Sequence, residues 1–322
     1  MKNIFKSLKN FVLAISVQTC VVGCLAAEER GPSQPIEIGT VKWNRDFEQT
    51  LAKSSTSGKP VFALFQEVPG CDGCQTFGKV VLSHPLIVEA IESEFEPVVI
   101  YNNKGGKDAE LLERYEEPSW NFQVIRFFDH QGADIVPRRD KIWTVEGVVG
   151  RMLSALSKAN RKVPGYLDGL TISYDSPEVG QILFTQYCFW TGENALGAIE
   201  GVLKTEAGFF NGKEATRVWF DKTKLPLQNL VTAAKQADVS DSVLLHISEK
   251  GNKPENLQVD GFFSPSDYRK APNSDQKRQL QGTKYERLEL NDFQATKVNS
   301  FARKDQNRAN SFLSPRQVGQ LN

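Results

Sequence analysis

Two hydrophobic rhythms alternate along this chain. Val61 to Phe65 is a short unbroken apolar run, the pattern of a buried strand. Val68-Pro69-Gly70 breaks it. Helical spacing then runs through Phe77, Val80 and Val81, and a second helix follows Pro85. "EPVVIYNN" predicts the next strand and "DAELLERYEE" the next helix. "QVIRFFDHQGADIV" reads as a strand, a turn at Gly132 and a short strand. "TVEGVVGRMLSALSKA" reads as an amphipathic helix. The order is strand, helix, strand, helix, strand, strand, helix. "NRKVPGYLDGL" follows as a linker, with Pro164, Gly165 and Gly169 expected to leave it flexible.

The pattern then changes. Gln181 to Gln186 predicts a strand, and Glu193 to Glu200 a helix ended by Gly201. "VLKTEAGFF" and "EATRVWFD" are strands joined at Asn211-Gly212, a hairpin signal. "LPLQNLVTAAKQA" is a helix with Pro226 in its first turn, and "SVLLHIS" a further strand. The order β-α-β-β-α-β is that of a ferredoxin-like α+β core. "KYERLELNDFQATKVNSFARKD" predicts a strand and an amphipathic helix, and the polar tail at 303–322 carries no assignment.

The chain has 322 residues, enough for two domains with their own cores. Its composition, 40% hydrophobic and 24% charged, is that of a globular protein. Basic and acidic residues balance, which argues against a dominant nucleic-acid footprint. The N-terminus predicts export. Lys2, Lys6 and Lys9 precede a mostly apolar stretch from Phe11 to Val22, short for a membrane span, and small residues follow. Cleavage before Ala27 would remove residues 1–26 as a signal peptide. "VVGC" alternatively resembles a lipobox, which would leave Cys24 as a lipid anchor. Either route places the mature chain in the periplasm or outside the cell.

Of five cysteines, Cys20 belongs to the signal and Cys24 leaves with it or carries lipid. Cys71, Cys74 and Cys188 remain, an odd number in an oxidising compartment. Cys71 and Cys74 have the C-x-x-C spacing at a strand-to-helix junction. There the helix N-terminus favours a thiolate on the first cysteine, and the second lies one turn on. Zinc, an inert disulfide and redox exchange are the alternatives. No second such pair exists, and His84, His130 and His246 show no ligand spacing, so neither a metal nor a cofactor is expected. Cys188 is expected just before a helix, as a buried inert thiol or as a second activated one.

Around these cysteines the sequence resembles two families. From Trp43 to Pro164, "VPGCDGC" resembles the thioredoxin superfamily, nearest to bacterial proteins with a Val-Pro-Gly-Cys motif, some with selenocysteine at the first cysteine position. The resemblance implies that Cys71 attacks and Cys74 resolves. The proline that thioredoxins place before their third core strand is absent, and Asn121 to Gln123 fill that region. From about 180 to 275, "CFWTGE" resembles the signature of A-type peptide methionine sulfoxide reductases, and "SDYRKA" resembles their later motif. That implies Cys188 as nucleophile, Glu193 as proton donor, and Phe189, Trp190 and Tyr268 as substrate-binding residues. Tyr187 stands where the family has glycine, the hairpin loop is shortened to "NGK", and no cysteine follows Cys188.

The expected architecture is therefore an N-terminal thioredoxin-like α/β domain at 36–165 and a ferredoxin-like, sulfoxide-reductase-like α+β domain at 176–302. The expected function is exported thiol–disulfide exchange in which the Cys71–Cys74 pair re-reduces Cys188 across the linker. Alternatively, a thioredoxin-like reductase carries an inactive reductase-like binding module, or an envelope protein carries structural cysteines. Oxidised or methionine-sulfoxide-containing proteins are the expected partners, with an external thiol as electron donor.

Overall fold

A computed structural model describes residues 34–120 and 123–321. The signal sequence, its cleavage site and Cys24 lie outside the described residues, as do Asn121 and Phe122. No helix among the described residues is long and apolar enough to cross a membrane.

The first half begins with helix α1 (Phe47–Ser57), capped by the Asp46 carboxylate, which accepts from the Gln49 amide. Strand β1 (Val61–Gln66) follows, buried at every position. Then come α2 (Asp72–Val80), α3 (Pro85–Glu94), β2 (Glu96–Tyr101), α4 (Lys107–Arg114), β3 (Gln123–Phe128) and α5 (Val145–Lys158). The sheet order is β2-β1-β3, with β1 parallel to β2 and antiparallel to β3. Because side chains alternate along a strand, β1 feeds two cores. Phe62 and Leu64 pack under α2, α3 and α5, while Val61, Ala63 and Phe65 pack against α1 and α4. The short strand expected after Gly132 is reduced to single bridges, Phe128 to Asp134 and Ile125 to Arg139.

The expected flexible linker is packed instead. Tyr166 and Leu167 are buried in the first half's core. A Cβ on Gly169 would stand 2.5 Å from the Cβ of Phe293. Its apolar side chains found burial on both sides, and burial outweighs the freedom that glycine and proline suggest in isolation.

The second half contains β4 (Val179–Thr185), α6 (Phe189–Gly197), β5 (Val202–Phe210), β6 (Lys213–Asp221), α7 (Leu227–Gln236), β7 (Ser242–His246), β8 (Gly261–Phe263) and β9 (Tyr268–Lys270). The sheet order is β8-β7-β4-β6-β5-β9. Strands β4, β5, β6 and β7 pair antiparallel around the central β4–β6 ladder, and α6 and α7 cover one face. Asn211 and Gly212 both have positive φ (48° and 77°), as a tight two-residue hairpin requires. Helix α6 starts four residues before the position expected, so Phe189 and Trp190 are helical. It ends at Gly197, where a Cβ would meet the Ser300 hydroxyl at 2.5 Å. Pro226 lies just outside α7, as its N-cap.

The C-terminal stretch folds as α8 (Asp292–Phe301), α9 (Gln306–Asn310) and α10 (Pro315–Gly319). Tyr285 sits in a turn, not the expected strand, and its hydroxyl donates to Asn310 at 2.8 Å. Helix α8 is buried on nearly all sides rather than amphipathic. The tail, polar as its sequence is, contributes Ala309, Phe312 and Leu313 to a core with Val298 and Phe293. It also reaches the first half, where the Arg316 amide donates to Glu89 of α3. The described residues accordingly form one compact unit.

Candidate functional site

The loop from Glu67 to Gly70 carries the chain from the buried end of β1 to the start of α2. Asn103 holds it from both sides, accepting from the Val68 amide at 3.2 Å and donating to the Pro69 carbonyl at 3.1 Å. The Gly70 amide donates to the buried Glu37 carboxylate at 2.9 Å. A Cβ on Gly70 would lie 2.5 Å from the Glu67 carbonyl and 2.8 Å from the Cys74 Cβ, so only glycine fits.

Cys71 is the N-cap residue of α2 and is exposed, while Cys74 is fully buried one turn on. Neither is in a disulfide, and the Cys71 thiol donates to Cys74 across 3.5 Å. That is sulfur contact distance, so a small side-chain rotation would close the bond of about 2.05 Å. Burial pushes the Cys74 thiol up to about 12, and the adjacent Cys71 side chain adds to the shift. Cys71 thus faces solvent at the positive end of a helix, and Cys74 waits protonated behind it.

Two further residues border the pair, and C-x-x-C spacing did not reveal either. A carboxylate oxygen of Glu67 and the two sulfurs all lie within 4.8 Å of one another. The Trp143 ring passes 3.5 Å from where a Gly73 Cβ would sit, beside the Cys71 sulfur. Glu67 was within sight of sequence reasoning, four residues before Cys71. Trp143 is remote in sequence and left no signal.

The second cluster surrounds Cys188, which is half-buried and is the N-cap residue of α6, as the sequence suggested. The helix's positive end is already occupied, because the Phe189 amide donates to the Glu214 carboxylate at 2.8 Å. Phe189 and Trp190 do meet, edge to face at 5.8 Å, and Phe189 also packs on Phe209 at 5.5 Å. The Trp190 indole donates to the Asp275 carbonyl at 3.1 Å. Tyr187 is 95% exposed.

Glu193 is completely buried and surrounded by donors. It accepts from the Lys277 amide at 2.8 Å, the Lys277 ammonium at 2.5 Å and the Thr205 hydroxyl at 3.3 Å. Both carboxylate oxygens are taken up by these donors and neither faces solvent, so no oxygen is left to meet a bound sulfoxide. Tyr268 is buried too. Its ring covers Gly208 and its hydroxyl donates to the Glu206 carbonyl at 3.0 Å. Its phenol is thereby spent on the fold. Lys277, 84 positions from Glu193, could not have been matched to it by reading the chain.

Behind this cluster, Lys297 of α8 is buried and caps the end of α6. It donates to the Gly197 and Ile199 carbonyls at 3.0 and 2.6 Å. Burial lowers its pKa to about 7, with Asp168 pulling in the other direction.

Comparison with known proteins agrees with the first site. A thioredoxin-like family matches residues 42–132, which include both cysteines of the pair. A solved structure, "DsbH Oxidoreductase", is 18% identical with a TM-score of 0.32, and the match covers 41% of this chain and 95% of that one. No curated protein matches the chain. The chain therefore carries a thioredoxin-like domain whose C-x-x-C pair stands at the start of its second helix.

Proposed function

We propose that this protein is an exported thiol–disulfide oxidoreductase in which Cys71 attacks and Cys74 resolves. The observation that carries the reading is the asymmetry of the pair, one sulfur exposed at a helix start and the other buried 3.5 Å away. Attack by the Cys71 thiolate on a substrate disulfide forms a mixed disulfide and expels one substrate thiolate. Cys74, losing its proton, then attacks the Cys71 sulfur, releases the second substrate thiol and leaves the intramolecular disulfide. An external thiol would restore the reduced pair. The basic and apolar N-terminal stretch supports export, with Cys24 as a lipid anchor or a residue of the cleaved signal.

The second half reads as a sulfoxide-reductase-like module that does not reduce sulfoxides. Its β-α-β-β-α-β order and the "CFWTGE" segment support the likeness, and the donor ring around Glu193 argues against the chemistry. Such a module would hold oxidised or methionine-rich protein substrates near the thiol pair.

Insulin reduction and methyl sulfoxide reduction by the purified chain test both halves. The expected result is disulfide reduction lost in Cys71→Ser and no sulfoxide turnover. Insulin reduction unaffected by Cys71→Ser would overturn the first assignment. Sulfoxide turnover that depends on Cys188 would overturn the second.

A further inference from the structure

We propose that the reduced Cys71–Cys74 pair and Glu67 together form a binding site for a thiophilic divalent metal ion, with zinc as the probe. Sequence spacing supplied only two donors. The fold brings in a third, since the Glu67 carboxylate lies within 4.8 Å of both sulfurs, and among the described residues no other group of three such side chains converges.

The spacing fits the ion. Tetrahedral zinc with Zn–S bonds of about 2.3 Å separates two thiolate sulfurs by about 3.8 Å. The sulfurs here are 3.5 Å apart, so they need only a few tenths of an ångström of adjustment. A carboxylate oxygen at about 2.1 Å from the metal would stand about 3.6 Å from each sulfur. Glu67 is half-buried on the loop before α2, and a side-chain rotation would cover the remaining gap of at most about 1.2 Å implied by those bond lengths. Cys71 is exposed, so the fourth position opens to solvent and the ion has a way in. Gly70 and Gly73 keep side-chain atoms away from the sulfurs.

Binding conserves charge through proton release. Each thiol gives up its proton, two Zn–S bonds form, and Zn²⁺ plus two thiols becomes a neutral dithiolate and two protons. No oxidant or reductant is involved. The Glu67 carboxylate adds a negative charge beside the two sulfurs, which favours a cation there. The regulatory consequence rests on the oxidoreductase reading: a pair that holds metal cannot exchange disulfides, so the metal would mask the site until it is removed. Binding itself requires only that the pair be reduced.

The test uses the reduced full-length chain, freed of reductant, titrated with zinc against a chromophoric chelator. The expected result is one zinc per chain, abolished when the pair is oxidised to the disulfide and abolished in Cys74→Ser. Cys188→Ser should bind as wild type does. Glu67→Gln should weaken binding at least tenfold, since even outer partners of a ligand change affinity by about 10–100-fold. Failure to compete with the chelator, binding that survives oxidation, or equal affinity in Glu67→Gln would overturn the site. Insulin reduction by zinc-free protein is measured alongside. Reduction without zinc binding removes the metal site alone, and zinc binding without reduction removes the oxidoreductase reading alone.

Discussion

Alkylation can read the asymmetry of the Cys71–Cys74 pair directly. Burial raises the Cys74 thiol to about 12 from an ordinary 9.0, and the neighbouring Cys71 side chain is the smaller cause. At pH 8 an ordinary thiol is about one-tenth thiolate, while Cys74 would be about one ten-thousandth, a deficit of roughly 10³. A more basic thiolate is a better nucleophile, and a Brønsted slope of about 0.4–0.5 returns roughly 20-fold of that. Cys74 should therefore react about 50-fold more slowly than an ordinary thiol from protonation alone, and its burial away from reagent should slow it further. The assay is iodoacetamide labelling of Cys71→Ala, which isolates Cys74, and of Cys74→Ala, which isolates Cys71. Each is quenched at intervals and quantified by peptide mapping. Removing the Cys71 side chain deletes the minor cause and keeps the major one, so most of the deficit should persist. The Cys74 rate should climb about tenfold per pH unit from pH 8 to 11, as a thiolate fraction does far below its pKa. Equal rates for the two cysteines at pH 8, or a flat pH profile for Cys74, would refute the reasoning.

Glu193→Gln should lower stability by about 3–5 kcal/mol in a denaturant titration, because it leaves the largely buried Lys277 ammonium without its countercharge. This reverses the small effect that a mere charge at a helix start would have. Lys297→Met should change the pH dependence of stability. Between about 7 and 10.5 the unfolded lysine binds a proton that the folded one has lost, so wild-type stability rises with pH there. Relative to Lys297→Met, wild type should gain at most about 1.4 kcal/mol per pH unit through that window, read from urea midpoints at pH 7.5 and 9. Cys74→Ser exposed to a methyl sulfoxide should give no disulfide between Cys71 and Cys188 on non-reducing peptide maps. Finding that crosslink would show that the halves separate in solution.

How far the sequence could be read depended on the range of the forces involved. Strands β1 to β7 and helices α2 to α7 announce themselves through local periodicity, turn residues and caps, and the C-x-x-C turn belongs to that class. Helix α1 escaped because "FEQTLAKSSTS" has few apolar positions, and its Asp46 cap is its clearest mark. The 303–322 tail escaped because polarity suggests solvent, yet its few apolar residues sufficed to seal a core. The candidate sites divide in the same way. Cys71, Cys74 and Cys188 were legible as residues. Their chemical surroundings were not, because Trp143, Lys277 and Glu214 arrive from distant segments, and a buried carboxylate is defined by what surrounds it.

The packed connection between the halves decides what a fused pair of thiol sites can do. Tethering raises the effective concentration of one thiol near another only when the link lets the two meet, and a link that forbids the geometry reduces it to nothing. A disulfide needs its two Cα atoms within about 7 Å. Here Tyr166 and Leu167 are anchored in the first core, Gly169 lies against Phe293 of the C-terminal core, and the α10 amide at Arg316 grips Glu89 of α3. Any swing of one half against the other would break all three attachments and expose the apolar surface they bury. The absence of a resolving cysteine after Cys188 therefore does not imply that Cys71 and Cys74 supply one. A rigid union is what the proposed division of labour requires, in which the first half exchanges disulfides and the second, held at fixed distance and orientation, would present a bound substrate to it.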